Sequence, residues 1–144
     1  MVAVLFIDLD HFKAINDTLG HAAGDLLLQT GANRLTDSVR STDTVARMGG
    51  DEFIVTLPQL HQVEDAALVA EKLLAAISTP VMLYDQELSV SASIGMCIFP
   101  DDGANAEELI RNADAAMYQA KNAGRNTYQF YTRDMNEPVG KQRS

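Results

Sequence analysis

The chain has 144 residues, 47% of them hydrophobic and 22% charged, which suits one globular domain with its own core. A formal net charge of −9 excludes a broad nucleic-acid surface, since phosphate backbones demand clustered Lys and Arg, and leaves room only for a small anionic ligand where a few bases converge. The one cysteine, Cys97, excludes an internal disulfide and reads as a small core residue in a reducing compartment, and no run of about 18 apolar residues is present to span a membrane.

Val2-Ala3-Val4-Leu5-Phe6-Ile7, closed by Asp8, is a continuous apolar run of the kind a central strand has; without a basic leader it reads as a buried strand rather than a signal peptide. A short helical stretch over 11–18 breaks at Gly20, and a longer helix follows over about 22–38 with Leu26, Leu27, Thr30, Leu35 and Val39 near one face. Strands over 44–48 and 52–57 flank Gly49-Gly50, a hairpin signal because glycine tolerates positive φ. Val63, Ala67, Ala70, Leu74 and Ile77 predict a helix over 63–77 that Pro80 stops. Val90, Ala92, Ile94, Met96 and Ile98 alternate, which predicts one half-buried strand over 88–99, paired with 81–84 across Asp85-Gln86. Asn105 with Glu108 resembles a capping box opening a helix to about 122, Gly124 suits its end, and a last strand spans about 127–131 before a loose polar tail from 132. The order βααββαββαβ, without repeats or low-complexity segments, predicts an α+β domain: a mixed, mainly antiparallel central sheet flanked by helices.

Chemistry concentrates where carboxylates meet strand ends. Asp8 ends the first strand, Asp10 follows two residues on, and Asp51 and Glu52 follow the Gly-Gly turn. A carboxylate at a buried strand end costs desolvation unless something positive compensates it. If the first strand lies beside the hairpin, Asp8 and Asp51 converge, and a hard cation such as magnesium relieves their repulsion while recruiting substrate phosphates. The plainer alternative makes Asp8 a helix cap and Asp51 and Glu52 turn and surface residues; for Asp10, beside the helix start, capping is the preferred reading. Lys13, Lys121 and Arg125 are the bases available to phosphates, although Lys121 and Arg125 at a helix end also suit its dipole. Neither GxxxxGK[ST] nor a GxGxxG after a strand occurs, so a nucleotide would be held by metals and side chains.

Arg47-Met48-Gly49-Gly50-Asp51-Glu52-Phe53 contains GGDEF, and the chain resembles the GGDEF family of diguanylate cyclases. Asp8-Leu9-Asp10-His11-Phe12-Lys13 resembles the family's DxDxFK, and Asn16-Asp17-Thr18-Leu19-Gly20-His21 its NDxxGH. Gly24-Asp25, Ser93-Ile94-Gly95, Asn112 through Tyr118, and Ala120-Lys121 through Gly124-Arg125-Asn126 follow in family order, so that the resemblance covers about residues 2–131. It implies a nucleotide-cyclase or polymerase-palm-like fold and synthesis of cyclic di-GMP from GTP with two Mg2+ (or Mn2+) ions per site. Asp8, Asp51 and the Leu9 carbonyl would ligate metal, with Asp51 or Glu52 as general base. Asn16, His21 and Asp25 would hold the sugar and guanine, beside Phe12, which also packs in the core. Lys13, Lys121 and Arg125 would neutralise the triphosphate.

One domain binding one GTP implies a transient homodimer for catalysis. Arg40-Ser41-Thr42-Asp43, five residues before GGDEF, resembles the family's RxxD inhibitory site for cyclic di-GMP; an exposed loop ion pair is its plainer alternative. Family sites often recruit a further arginine from elsewhere, and none stands in 58–90. The chain starts at the first strand, without the upstream helix and D-x-LT-x-L-x-NR-like signature of family members, which implies a fragment with its domain over 1–131 and a linker over 132–144. Tyr128 through Asn136 resembles the junction to an EAL phosphodiesterase domain, which implies a tandem parent, cytoplasmic at this segment and open to membrane tethering elsewhere. Two rivals follow: a GTP-binding regulatory module controlling that neighbour, and a scaffold whose acidic residues are only caps and turns.

Overall fold

The computed structural model describes residues 1–136. Its five-stranded sheet is built around β1 (Val2–Leu9), whose residues after Val2 are all buried. β3 (Glu52–Leu57) and β6 (Ala92–Phe99) pair antiparallel with its two edges, placing Glu52 and Ser93 on either side of Asp8. β2 (Thr44–Gly49) extends the sheet beyond β3, and β7 (Thr127–Phe130) runs parallel to β6, so the order is β2-β3-β1-β6-β7. The predicted mixed, mainly antiparallel α+β architecture is the one observed.

Strand side chains alternate between faces, and each face has its own cover. Leu5, Ile7 and Leu9 of β1 share the larger core with α2 (His21–Asp37) and α3 (Val63–Ser78). Val4 and Phe6 share a smaller core with α4 (Ala106–Asn122), joined by Ile54 and Cys97. α4 can lie on the sheet because Gly95 has no side chain: a Cβ there would meet Ala113 O at 2.0 Å and Met117 N at 2.1 Å. α3 carries no basic residue in its last turn, and α2 supplies one. Arg34 donates to the carbonyls of Ala76 (3.3 Å), Ile77 (3.5 Å), Thr79 and Pro80 (3.2 Å), satisfying acceptors a helix end leaves open.

Several expectations are corrected. The single half-buried strand over 88–99 is two strands: β5 (Gln86–Leu88) pairs with β4 (Val81–Leu83) in a separate ribbon, turning at Tyr84 (φ 51°) and Asp85 (φ 63°), while β6 belongs to the main sheet. β6 is buried on both faces through Ile98: Gly95 and Cys97 pack against α4 and Ser93 Oγ donates to the buried Asp10 carboxylate, so Ser93 and Gly95 only imitate a solvent face in the alternation. α2 buries Leu27 and Leu35 as expected, but Leu26 is 48% exposed and Leu28 is buried in its place. α3 buries Ala66, Ala70, Leu73 and Ile77, leaving Val63 exposed; neighbouring stripes of an apolar helix are equally periodic, so spacing alone does not choose between them. At α4, Asn105 caps Glu108 N–H at 2.9 Å as expected, but the Glu108 carboxylate accepts from Ala104 N–H at 2.7 Å rather than from Asn105. Of the tail expected to be loose from 132, Arg133–Asn136 forms a 3-10 turn against α4, and residues 137–144 lie outside the described residues. Burial pushes the Cys97 thiol up to about 12, as befits a core residue. No described helix is long and apolar enough to cross a membrane.

Candidate active site

The end of β1 and the β2–β3 turn form one cluster. Gly50 adopts φ 50°, a left-handed conformation that suits glycine, and Arg47 Nε donates to its carbonyl at 3.1 Å. The turn lies against β1, where Leu9 N–H donates to Asp51 O at 3.2 Å. Asp8, 6% exposed, receives Lys121 Nζ on Oδ2 at 2.5 Å, while its Oδ1 is buried with no hydrogen-bond partner. Burial drives the Asp8 carboxyl up to about 6; Lys121 pulls it down, and the adjoining Asp51 carboxylate pushes it up. Half-buried Glu52 lies directly across from Asp8 in the antiparallel register, hence on the same face.

These oxygens suit a hard divalent cation. A buried carboxylate oxygen lacks a partner, and a second carboxylate adjoins it. Among the described residues no three His, Cys, Asp or Glu side chains form a metal-holding group, so an ion here would draw its remaining ligands from backbone, water or substrate phosphate.

The capping alternative fails for both aspartates. The N-cap of α1 (Phe12–Leu19) is His11, in the left-handed region at φ 59°, with no side-chain cap. Asp10, expected to cap, is 3% exposed and accepts from Ser91 Oγ (2.6 Å), Ser93 Oγ (2.7 Å) and Asn126 N–H (3.1 Å). No sequence reading singled out this bracket, although Ser93 and Asn126 both fall inside quoted motifs.

The α1–α2 pair carries the next group. A Cβ on Gly24 would fall 1.9 Å from Asn16 Oδ1 and 3.2 Å from the Phe12 ring, so glycine is what allows the two helices to close here. Asn16 Oδ1 is buried without a partner, Phe12 is core, and His21 and Asp25 are exposed one turn apart on α2. Lys13 is exposed in the first turn of α1. Arg125 is exposed beyond α4, and Lys121 reaches from the last turn of that helix to Asp8 instead of serving only the dipole.

Arg40 and Asp43 lie before β2, at the opposite end from Gly49. The Asp43 side chain is 3% exposed; its Oδ2 accepts from Arg40 N–H at 2.9 Å and stands 3.6 Å from Arg40 Nε, while Oδ1 is buried without a partner. Arg40 also donates to Gln59 O at 3.2 Å. The pair lines a cavity of about 320 Å³ with His61, Asp65 and Lys72, so the cavity carries a lysine besides Arg40.

Residues 1–127 match the family model described as diguanylate cyclase, GGDEF domain. Over 134 residues the chain is 52% identical to the bifunctional diguanylate cyclase/cyclic di-GMP phosphodiesterase MucR of Pseudomonas aeruginosa, covering 93% of this chain and 19% of MucR. It is 43% identical over 134 residues to the cyclic di-GMP phosphodiesterase NbdA of the same organism, covering 93% and 17%. The chain thus spans less than a fifth of either relative. Its structure matches the GGDEF domain of TpbB (YfiN) from Pseudomonas aeruginosa with a TM-score of 0.90 and 41% identity, over 93% of this chain and 78% of that one.

Proposed function

The chain belongs to the GGDEF family of diguanylate cyclases, and on that premise we propose that it joins two GTP molecules into cyclic di-GMP and releases two pyrophosphates. In each of two steps a 3′-hydroxyl attacks an α-phosphate in line, its oxygen bonding to phosphorus as the bond to the pyrophosphate oxygen breaks. Asn16 and Asp25 read the guanine edge and His21 the sugar, on the α1–α2 pair beside buried Phe12. Lys13 and Arg125 hold the triphosphate, and Lys121 passes from Asp8 to phosphate as substrate enters. Asp51 or Glu52 accepts the hydroxyl proton. Two divalent ions, Mg2+ or Mn2+, held by Asp8, Asp51 and the Leu9 carbonyl, would stabilise the attacking and leaving oxygens. Each domain holds one GTP, so two copies face each other about a two-fold axis to bring each hydroxyl to the other's phosphate.

The observation that carries this reading is the Asp8 carboxylate: buried, with one oxygen unpartnered, beside Asp51 and under Lys121. The test is incubation with GTP and magnesium at high protein concentration, with the products resolved by chromatography. Wild type should form cyclic di-GMP, and folded Asp51→Ala should lose at least about a hundredfold in rate, since phosphoryl transfer rests on electrostatic stabilisation. Wild-type synthesis by the folded variant would refute the assignment.

A second reading has support in NbdA, a relative named for its phosphodiesterase activity. On that reading the domain binds GTP and tunes a tethered EAL domain without turnover. Metal-dependent GTP binding with no product under the same conditions distinguishes it.

A further inference from the structure

We propose that Asp10 is a positioning residue for the phosphate-binding end of the site: its carboxylate holds the turn after α4 in the conformation that presents Arg125. The proposal rests on the functional reading above for what Arg125 binds, and on the structure for how it is held.

Gly124, Arg125 and Asn126 stand in succession at φ 112°, 64° and 51°. One left-handed glycine after a helix is an ordinary stop, and Gly124 N–H is satisfied there by Lys121 O at 3.3 Å. Two further left-handed residues with side chains are not needed to end a helix, are unfavourable for L-residues, and persist only where surrounding contacts over-determine them. Two contacts do so. Arg125 N–H donates back to Ala120 O at 3.1 Å, and Asn126 N–H donates across to Asp10 Oδ2 at 3.1 Å.

Asp10 is itself immobilised. Its N–H donates to Ser91 O at 2.8 Å, Ser91 Oγ reaches Oδ2 at 2.6 Å, and Ser93 Oγ reaches Oδ1 at 2.7 Å. A buried carboxylate bracketed by three neutral donors is a fixed acceptor, and it ties the ends of β1, the start of β6 and the turn after α4 together. Asp8 lies two residues before it, and Lys121, which reaches Asp8, lies four before Arg125. The tether therefore fixes one base of the proposed triphosphate site relative to the carboxylates.

The test is a double-mutant cycle of Asp10→Ala with Arg125→Ala, read by GTP affinity with magnesium and by Asn126 amide exchange. Asp10→Ala should speed Asn126 exchange and weaken GTP binding by about tenfold each, the effect of one lost hydrogen bond to a charged acceptor. In the Arg125→Ala background its further effect on GTP should fall below about twofold, because the two residues act as one unit. Asp10→Asn should restore both readouts: its oxygen accepts from Ser91 and Asn126 while its amide donates to Ser93 Oγ. Should Asp10→Ala fail to fold, Ser93→Ala carries the test with about a threefold change in both readouts, the GTP effect again abolished by Arg125→Ala. Unchanged Asn126 exchange, or equal GTP losses in both backgrounds, overturns the proposal. A wild-type chain that takes up no GTP overturns the functional reading instead, and with it the role given to the tether.

Discussion

Lys121 and Asp8, 113 positions apart in the chain, meet at the end of β1, and the lysine occupies one carboxylate oxygen while the other has no partner. The ammonium does not fully compensate the carboxylate, whose pKa rises from 3.8 to about 6 mainly through burial. A raised carboxyl favours its neutral form in the fold. Its contribution to stability is fully present below the unfolded value near 4 and is lost as pH rises through about 6. Metal-free Asp8→Asn should therefore be more stable than wild type by roughly 2 kcal/mol near neutral pH, with the difference vanishing towards pH 4. Urea unfolding at both pH values measures this. Added magnesium should stabilise wild type and leave Asp8→Asn unchanged. Equal stabilities at neutral pH without metal would remove Asp8 as a strained carboxylate.

Gly95 and Gly31 predict opposite outcomes for the same substitution. At Gly95 the new methyl would strike backbone atoms of α4 at 2.0–2.1 Å, so the helix must lift from β6. Gly95→Ala should cost about 1–3 kcal/mol, and should also reduce activity by moving Lys121 away from Asp8. At Gly31, inside α2, the nearest atoms are side-chain methyls of Ile77 and Leu9 at 3.8 and 3.9 Å. There Ala should stabilise by about 0.5–1 kcal/mol through helix propensity. Denaturant unfolding of the two variants checks the sign of each.

What was legible in the sequence follows from locality and from motif. The convergence of Asp8 with Asp51 follows from an apolar run that reads as a central strand and a Gly-Gly turn that reads as a hairpin once the two lie side by side, and that pairing is supplied by the structure. The role of Asp10 was not legible, because its donors come from 81, 83 and 116 residues away. With only neighbours in view, a helix cap is the natural reading of an aspartate before a helix. β6 differs for another reason: Gly95 is small because the α4 backbone lies on it, Ser93 is polar because it serves the buried Asp10 carboxylate, and in an alternating pattern both read as solvent-facing. Lys121 was visible as a base at a helix end, but the bond to Asp8 that distinguishes it from a dipole partner is tertiary.

Asp25 carries a prediction about specificity. It follows Gly24, the residue whose missing side chain admits Asn16, and it is exposed on α2 one turn from His21. If its carboxylate accepts guanine N–H groups, Asp25→Ala should weaken GTP by tenfold or more and leave ATP within about twofold, because adenine offers no donors at those positions. Calorimetry with both nucleotides decides it, and equal losses for the two would assign Asp25 to the surface.

Arg40 and Asp43 stand apart from the Gly49-Gly50 turn by the length of β2, Thr44–Gly49, roughly 20 Å at strand rise. A ligand there acts on turnover only by favouring one arrangement of two domains over another. Asp43 is a buried carboxylate with an unpartnered oxygen on a cavity that Lys72 also lines. If cyclic di-GMP binds this cavity, Asp43 Oδ1 would accept a guanine N–H and Lys72 would meet its phosphate. Arg40→Ala should keep the initial rate within about twofold and raise the product concentration for half-inhibition at least fivefold, about 1 kcal/mol of binding. Lys72→Ala should shift the same curve by a smaller factor, since an ammonium contributes charge without the paired donors of a guanidinium. Rate measurements across a range of added cyclic di-GMP read both effects. An Arg40→Ala curve superposable on wild type would leave the two residues as a local brace in which Asp43 accepts the Arg40 N–H and nothing more.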